Sequence, residues 1–175
     1  VVGEQGIDRM RRVLSDASVP PAGCLGMLRI ADLAALNQHL GRARTDEWLV
    51  AVADALQGSL PALDDVSLAR VGGAEFGVVL PGVVLDDARK LFERALSAVA
   101  ALDLQVDGAH ALRMNAAVVT YRHDEQPGVA LARVDSALMR AESAGVLIAE
   151  TDGASLPIPV PGEGAWKALL DGALV

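Results

Sequence analysis

The chain has 175 residues and a net charge of −8, and 52% of its residues are hydrophobic while 3% are aromatic. This length and hydrophobic content suffice for the core of one globular domain, and the negative charge argues against binding to a nucleic-acid backbone. A single cysteine, Cys24, excludes an internal disulfide and a cysteine-based zinc site, and we expect it to be a small buried residue.

The first half of the chain shows two kinds of apolar periodicity. Helical spacing predicts a helix over 4–17, and a short apolar run predicts a buried strand from Cys24 to Ile30. Two further helices follow: the first ends at Gly41, and the second runs from Trp48 to Leu60 and ends before Pro61. This half therefore predicts a helix, a strand and a helix pair.

A glycine pair lies between two alternating apolar runs in the middle of the chain. Val66 and Leu68 precede Gly72 and Gly73, and the residues after them alternate again up to Leu80. This pattern predicts a tight β-hairpin in which the two glycines form a two-residue turn and adopt positive φ.

The second half alternates between helix and strand. Helical spacing predicts helices over 85–99 and 130–141, the second ending at Gly145, and alternation predicts strands over 111–121 and 146–149. The β-α-β-β-α-β order predicts an α/β (α+β) domain of ferredoxin-like palm type, with a mixed central sheet flanked by helices.

The segment after residue 150 has a different composition. Residues 151–164 hold three prolines and three glycines, which predicts an extended linker, and Ala165 to Leu174 has helical spacing with Trp166 on its apolar side. We divide the chain into a helix and linker at 1–22, a domain at 23–150 and a connecting segment at 151–175. The last helix is expected to lead into a further domain.

Four blocks in the right order make residues 24–150 resemble a GGDEF domain. The signature appears as Gly72, Gly73, Ala74, Glu75 and Phe76, and Arg29 to Asn37 is similar to the family's Asp-Leu-Asp-x-Phe-Lys-x-Ile-Asn block. The remaining two blocks are 41–49 and 137–147. Domains of this family have a palm fold of the nucleotidyl cyclase type and join two GTP molecules into cyclic di-GMP, which implies a bacterial signalling role.

Two departures from the family pattern concern its metal ions. The resemblance places magnesium carboxylates at positions 29 and 74, where this chain has Arg29 and Ala74, and hard cations need oxygen ligands. Glu142 and Val146 stand where the family has its phosphate-binding lysine and arginine. On this basis we expect no cofactor, no metal site and no catalytic residues, and classify the chain as a degenerate GGDEF domain that is not an enzyme.

Some positions that match the family are open to two interpretations. Asn37 and Asp46 match the pair that reads guanine, or they serve as helix-end residues, with Asp46 capping the second helix. Arg29 either pairs with Glu75 across neighbouring strands or faces a ligand phosphate in place of a metal ion. An active cyclase would need another acid, for which Asp32 is the nearest candidate.

Other candidate sites find no support in the sequence. The inhibitory product site of the family reads Arg-x-x-Asp before the signature, and the matching window, 63–66, has Leu63 and Val66 at these two positions, so the motif is absent. His39, His110 and His123 show no metal-ligand spacing with one another or with Cys24.

The resemblance implies a regulatory or relay module in cyclic di-GMP signalling. The linker and the last helix are similar to a connection to an EAL domain, so the expected partner is a C-terminal EAL domain that binds cyclic di-GMP, as in LapD-type receptors. The alternative is a GTP-binding domain that activates an attached cyclic di-GMP phosphodiesterase. A homodimer stays open. We expect a cytoplasmic piece with no direct membrane contact and no nucleic-acid partner, compatible with the cytoplasmic part of an inner-membrane protein.

Overall fold

A computed structural model of the protein describes residues 4–15, 22–62, 66–102, 113–146 and 148–151. The described residues form five helices and five strands: α1 (Glu4–Ser15), β1 (Ala22–Ile30), α2 (Leu33–Leu40), α3 (Arg42–Ser59), β2 (Ser67–Arg70), β3 (Glu75–Pro81), α4 (Leu85–Ala100), β4 (Met114–Arg122), α5 (Pro127–Ala144) and β5 (Ile148–Thr151). Thr151, the first residue of the predicted linker, is the last residue of β5; the rest of the linker and the helix over 165–174 lie outside the described residues, as do Asp64 and Asp65.

The five strands form one sheet in the order β2-β3-β1-β4-β5. The first four strands pair antiparallel, and β5 joins β4 in parallel. This is the strand order of a ferredoxin-like palm with one added edge strand, so the predicted fold class is confirmed. The central strand β1 is paired on both sides, and its last residues reach the end of the sheet where the hairpin lies.

The sheet separates two apolar layers. On one face α2, α3 and α4 cover a cluster that includes Cys24, Leu28 and Ile30, and on the other face α1 and α5 cover a cluster that includes Leu25 and Met27. Successive side chains of a strand point to opposite faces. Arg29, two residues after Met27, is therefore directed to the α5 face.

Helix boundaries follow local chemistry. Pro127 begins α5, where its missing N–H costs nothing, and Gly145 ends the helix in the left-handed conformation with φ 68°. Asp86 and Asp87 lie in the first turn of α4, where the helix dipole favours carboxylates. Gly26 lets α4 approach β1 closely, because a Cβ atom there would overlap the ring of Phe92.

Cys24 is fully buried, as predicted, and its Sγ donates a hydrogen bond to the carbonyl of Val83 at 3.2 Å. Burial raises the pKa of the thiol to about 12, so the thiolate is scarce at neutral pH. Cys24 is therefore a packing residue. Within the described residues, no helix is both long and apolar enough to cross a membrane.

Candidate functional site

The hairpin loop between β2 and β3 has three residues. Arg70 pairs with Phe76, and the amide of Val71 donates to the carbonyl of Glu75 at 3.0 Å, which leaves Gly72, Gly73 and Ala74 in the loop. The predicted two-residue turn is wrong, and so is the predicted positive φ of the two glycines. The described glycines with positive φ are Gly41, Gly82 and Gly145.

The physical reason is that Ala74 shares the change of chain direction, so neither glycine needs a left-handed backbone. The guanidinium of Arg70 holds the loop instead, donating to the carbonyls of Gly72 at 3.2 Å and Gly73 at 2.6 Å. The carbonyl of Ala74 accepts from the amide of Ile30 at 2.8 Å. The loop is thereby fixed to the end of β1, directly beside Arg29.

Arg29 is the centre of the site and contacts three carboxylates. Its Nε and Nη2 both lie 2.8 Å from Oε1 of Glu75, which faces Arg29 across the β1–β3 pair. Its Nη2 also lies 3.1 Å from Oδ1 of Asp135, and its Nη1 lies 3.1 Å from Oε2 and 3.3 Å from Oε1 of Glu142. The predicted Arg29–Glu75 pair is confirmed.

The fold explains why these groups meet. Arg29 lies near the end of β1 and Glu75 begins the adjacent antiparallel strand β3, both on the face that α5 covers. Asp135 and Glu142 are seven residues, or about two turns, apart on α5. Both acids therefore lie on the side of α5 that packs on the sheet. The cluster joins β1, the signature strand β3 and α5.

Neighbouring negative charges keep Arg29 ionised despite its partial burial. Burial alone lowers the pKa of Arg29, but the charges of Glu75, Glu142 and Asp135, with the Glu75 hydrogen bond, raise it above its usual range. The three acids outnumber the arginine. Oε2 of Glu75 and Oδ2 of Asp135 are buried and have no hydrogen-bond partner among the described residues.

The residues at positions 29 and 74 do not fit magnesium ions. Arg29 places a cation between the carboxylates, and Ala74 offers no side-chain oxygen while its carbonyl is bonded to the amide of Ile30. A divalent cation at this point would face the guanidinium at close range. No group of three or more His, Cys, Asp or Glu residues in the described part of the chain is arranged to hold a metal.

The candidate guanine-reading residues lie on two consecutive helices. Asn37 is in the last turn of α2, where its carbonyl accepts from Gly41, and Asp46 is inside α3; both side chains are exposed. The interpretation of Asp46 as a helix cap is wrong, because Gly41 occupies the N-cap position of α3. Helix α3 begins at Arg42, whereas its apolar pattern predicted a start at Trp48.

Asp32 does not join the Arg29 cluster. It caps α2 with a left-handed backbone, φ 55°, and its exposed carboxylate lies 3.4 Å from Nη2 of Arg113. Val146 has an exposed side chain, and its carbonyl accepts from Nδ2 of Asn115 at 2.7 Å. Sequence reasoning missed Asp135, whose signal was an acid within the apolar repeat of α5.

A cleft of about 1040 Å³ opens beside the cluster, between the end of β1, the second half of α4 and the start of β4. Arg29 and Glu142 both line it, together with Asp32, Arg113 and Asn115. Glu75 and Asp135 are not among its lining residues. One side of the Arg29 guanidinium is therefore directed to the cleft and the other to the protein interior.

A ferredoxin-like palm with a glycine-rich hairpin beside charged groups at the sheet end is typical of the nucleotidyl cyclase class. A family model, that of the diguanylate cyclase GGDEF domain, matches residues 8–146. The chain therefore belongs to the GGDEF family.

Individual relatives agree with this assignment. The diguanylate cyclase DgcP of Pseudomonas aeruginosa is 32% identical over 122 residues, which cover 69% of this chain and 18% of that protein. The solved structure of Vibrio cholerae LapD, comprising S helix, GGDEF and EAL parts and bound to c-di-GMP, covers 96% of this chain and 38% of its own at 21% identity and a TM-score of 0.73. The chain thus spans about a fifth of the curated relative and under half of LapD.

A third relative bears on enzyme class. Diguanylate cyclase SiaD of Pseudomonas aeruginosa, solved with its activator SiaC, is 25% identical, with 84% of this chain and 56% of that chain covered and a TM-score of 0.72. Two relatives are thus diguanylate cyclases, and the prediction that this chain is not an enzyme is contradicted. That prediction rested on two side chains, Arg29 and Ala74, whereas the class assignment rests on residues 8–146.

Proposed function

We propose that this chain is the GGDEF domain of a cyclic di-GMP signalling protein and acts as a regulatory module on an adjoining EAL domain that binds cyclic di-GMP. Family membership and the likeness to the GGDEF–EAL architecture of LapD support the proposal. In this role the domain transmits a conformational change from its signature hairpin to the segment that follows β5.

The Arg29 cluster is the observation that carries this proposal. Arg29 contacts Glu75, Asp135 and Glu142, which are 46, 106 and 113 positions away from it in the chain. These contacts link the hairpin strand β3 to the middle and to the last turn of α5. The last helix before β5 therefore cannot shift along the sheet without stretching its charged hydrogen bonds to Arg29; the one to the buried Asp135 contributes roughly 1.5–3 kcal/mol, and the more exposed pair with Glu142 contributes much less. Hairpin and α5 move as one unit.

The test uses the longer protein that contains this chain and its downstream region. Arg29→Lys keeps the charge but removes the planar fork that serves three carboxylates at once. We expect this variant to change the cyclic di-GMP affinity of the downstream domain by roughly fivefold, within the usual range of allosteric coupling. Arg113→Lys, which changes an exposed arginine that pairs with Asp32, is the matched control.

Two results would overturn the proposal. The first is a downstream region without an EAL domain. The second is unchanged cyclic di-GMP affinity in Arg29→Lys protein whose thermal unfolding shows that the domain is folded. Calorimetry on the purified longer protein gives the affinity, and circular dichroism gives the folding control.

A second candidate is a GTP-binding domain that activates an attached phosphodiesterase. It is favoured by the exposed side chains of Asn37 and Asp46, which leave the amide and the carboxylate available for hydrogen bonds to a guanine. Asp46→Ala should then weaken GTP binding at least about tenfold, the usual cost of a lost charged hydrogen bond. Glu47→Ala removes an exposed carboxylate one residue further along α3 and serves as the control. Equal affinities in an NMR titration of both variants would remove this candidate.

A further inference from the structure

We propose that Glu142 is an autoinhibitory carboxylate: it occupies the edge of the Arg29 guanidinium that would otherwise bind a phosphate group of a ligand in the adjoining cleft. The inference rests on the proposed role in nucleotide signalling and specifies how that site is regulated. The ligand class is a phosphate or polyphosphate anion.

The guanidinium divides its contacts between two sides. Nε and Nη2 contact Glu75 and Asp135, which are away from the cleft, whereas Nη1 contacts Glu142, which lines the cleft together with Arg29. The two inner carboxylates orient the guanidinium. A ligand in the cleft can reach it from the Nη1 edge, and Glu142 lies across that edge.

Glu142 is the partner that is most easily released. Its side chain is 34% exposed, against 13% for Glu75 and 1% for Asp135. It also lies in the last turn of α5, where the helix dipole disfavours a negative charge. A rotamer change would move its carboxylate into water, while the inner pair stays in place.

A phosphate group suits the edge that Glu142 would vacate. Nη1 carries two N–H donors, which contact both oxygens of Glu142 and would contact phosphate oxygens once that carboxylate moves away, and Arg29 stays charged because its acidic neighbours raise its pKa. Arg113, whose side chain is 78% exposed at the rim of the same cleft, is a second cation within the lining, where it pairs with Asp32 at 3.4 Å. When Glu142 contacts Arg29, its carboxylate occupies the position that the phosphate oxygens would take.

Calorimetry with inorganic pyrophosphate tests the inference on the purified chain, in EDTA and at low salt. Glu142→Gln removes the competing charge with almost no change in shape. We expect pyrophosphate to bind this variant about tenfold more tightly than the unmodified chain, since a like charge some 5 Å from the anion is removed and water screens much of the effect. Glu47→Gln, which removes an exposed carboxylate from α3, should leave the affinity unchanged.

A second variant shows whether the increase in pyrophosphate affinity depends on Arg29. In Arg29→Lys/Glu142→Gln protein the tighter binding should fall back by at least about threefold, because a lysine ammonium cannot contact the inner carboxylates and also hold a donor at the position of Nη1. In Glu142→Gln protein labelled with 15N-arginine, the Nε–H signal of Arg29 should shift when pyrophosphate is added. This NMR readout decides the question if the double variant does not fold.

The inference is overturned if Glu142→Gln binds pyrophosphate no better than the unmodified chain. It is also overturned if the gain persists in the folded double variant, or if the Arg29 signal does not respond to the anion. None of these measurements involves an EAL domain or cyclic di-GMP. Their failure would leave the relay proposal standing, and failure of the relay test would leave the pyrophosphate result standing.

Discussion

Two arginines, the buried Arg133 and the partly buried Arg29, lie near opposite ends of the sheet and are held in different ways. Arg133, on α5, contacts both carboxylate oxygens of Glu125, eight residues away, and the carbonyl of Thr120. Arg29 contacts three carboxylates from β3 and α5, all at least 46 positions distant. One arginine closes a local turn, and the other joins distant elements.

The charge balance of the two clusters differs as well. Arg133 and Glu125 neutralise each other, whereas the acids around Arg29 exceed it by two charges. Both clusters hold buried polar atoms without a hydrogen-bond partner among the described residues, namely Nε of Arg133 in one and an oxygen each of Glu75 and Asp135 in the other. An excess of buried carboxylate is unfavourable for stability, because each needs a cation or hydrogen bonds. The comparison indicates that the Arg133 cluster serves stability and the Arg29 cluster serves the site.

The largest expected effect is that of Arg29→Ala. The variant leaves three carboxylates close together, with Asp135 almost fully buried, so the free energy of unfolding should fall by about 3 kcal/mol. Urea denaturation measures it. Arg113→Ala, which removes an exposed ion pair, should cost less than about 0.5 kcal/mol. A loss of under about 1 kcal/mol for Arg29→Ala would show that the cluster contributes little to the fold.

The next effect is that of Arg133→Ala, which should lower the free energy of unfolding by about 2 kcal/mol. The Thr120 carbonyl loses its side-chain donor, but Glu125, with 26% of its side chain exposed, is solvated by water. Pyrophosphate affinity should not change, because Arg133 does not line the cleft. If Arg133→Ala changed the pyrophosphate affinity as much as Glu142→Gln does, the claim that only Arg29 serves the anion site would be wrong.

How far these contacts could be predicted from the sequence depends on their range. The Arg29–Glu75 pair was predictable, because a hairpin and its neighbouring strand fix the register. The convergence of Asp135 and Glu142 on the same guanidinium was not, since it depends on how α5 is rotated over the sheet. The hairpin glycines correctly indicate where the loop lies. Their backbone conformation could not be predicted, because the hydrogen bonds of Arg70 to the loop carbonyls do not follow from the order of apolar and polar residues.

A smaller effect is expected for Asp135→Asn. The amide keeps the shape and one contact with Arg29, and Glu75 and Glu142 still compensate the guanidinium, so the free energy of unfolding should fall by only about 1 kcal/mol. Thermal unfolding of Asp135→Asn and Arg29→Ala, measured under the same conditions, shows which variant loses more stability. If Asp135→Asn proves as damaging as Arg29→Ala, Asp135 rather than the shared guanidinium dominates the cluster.

The smallest stability effect should be that of Glu142→Gln, below about 0.5 kcal/mol, because its carboxylate is a third exposed and its ion pair with Arg29 is screened by water. The same denaturation assay measures it. A stability loss above about 1.5 kcal/mol would mean that the carboxylate is a structural partner like Glu125 and not a displaceable one.

The central claim is that Arg29 couples the signature hairpin to α5, and hydrogen exchange tests it most directly. The amides of Val71 and Ile30, which bond the hairpin loop, report its opening. In Arg29→Lys protein these amides and those of the last turns of α5 should exchange at least about fivefold faster, while in Arg133→Lys protein they should match the unmodified chain. Unchanged exchange at Val71 and Ile30 in the Arg29 variant, or the same acceleration in the Arg133 variant, would contradict the claim.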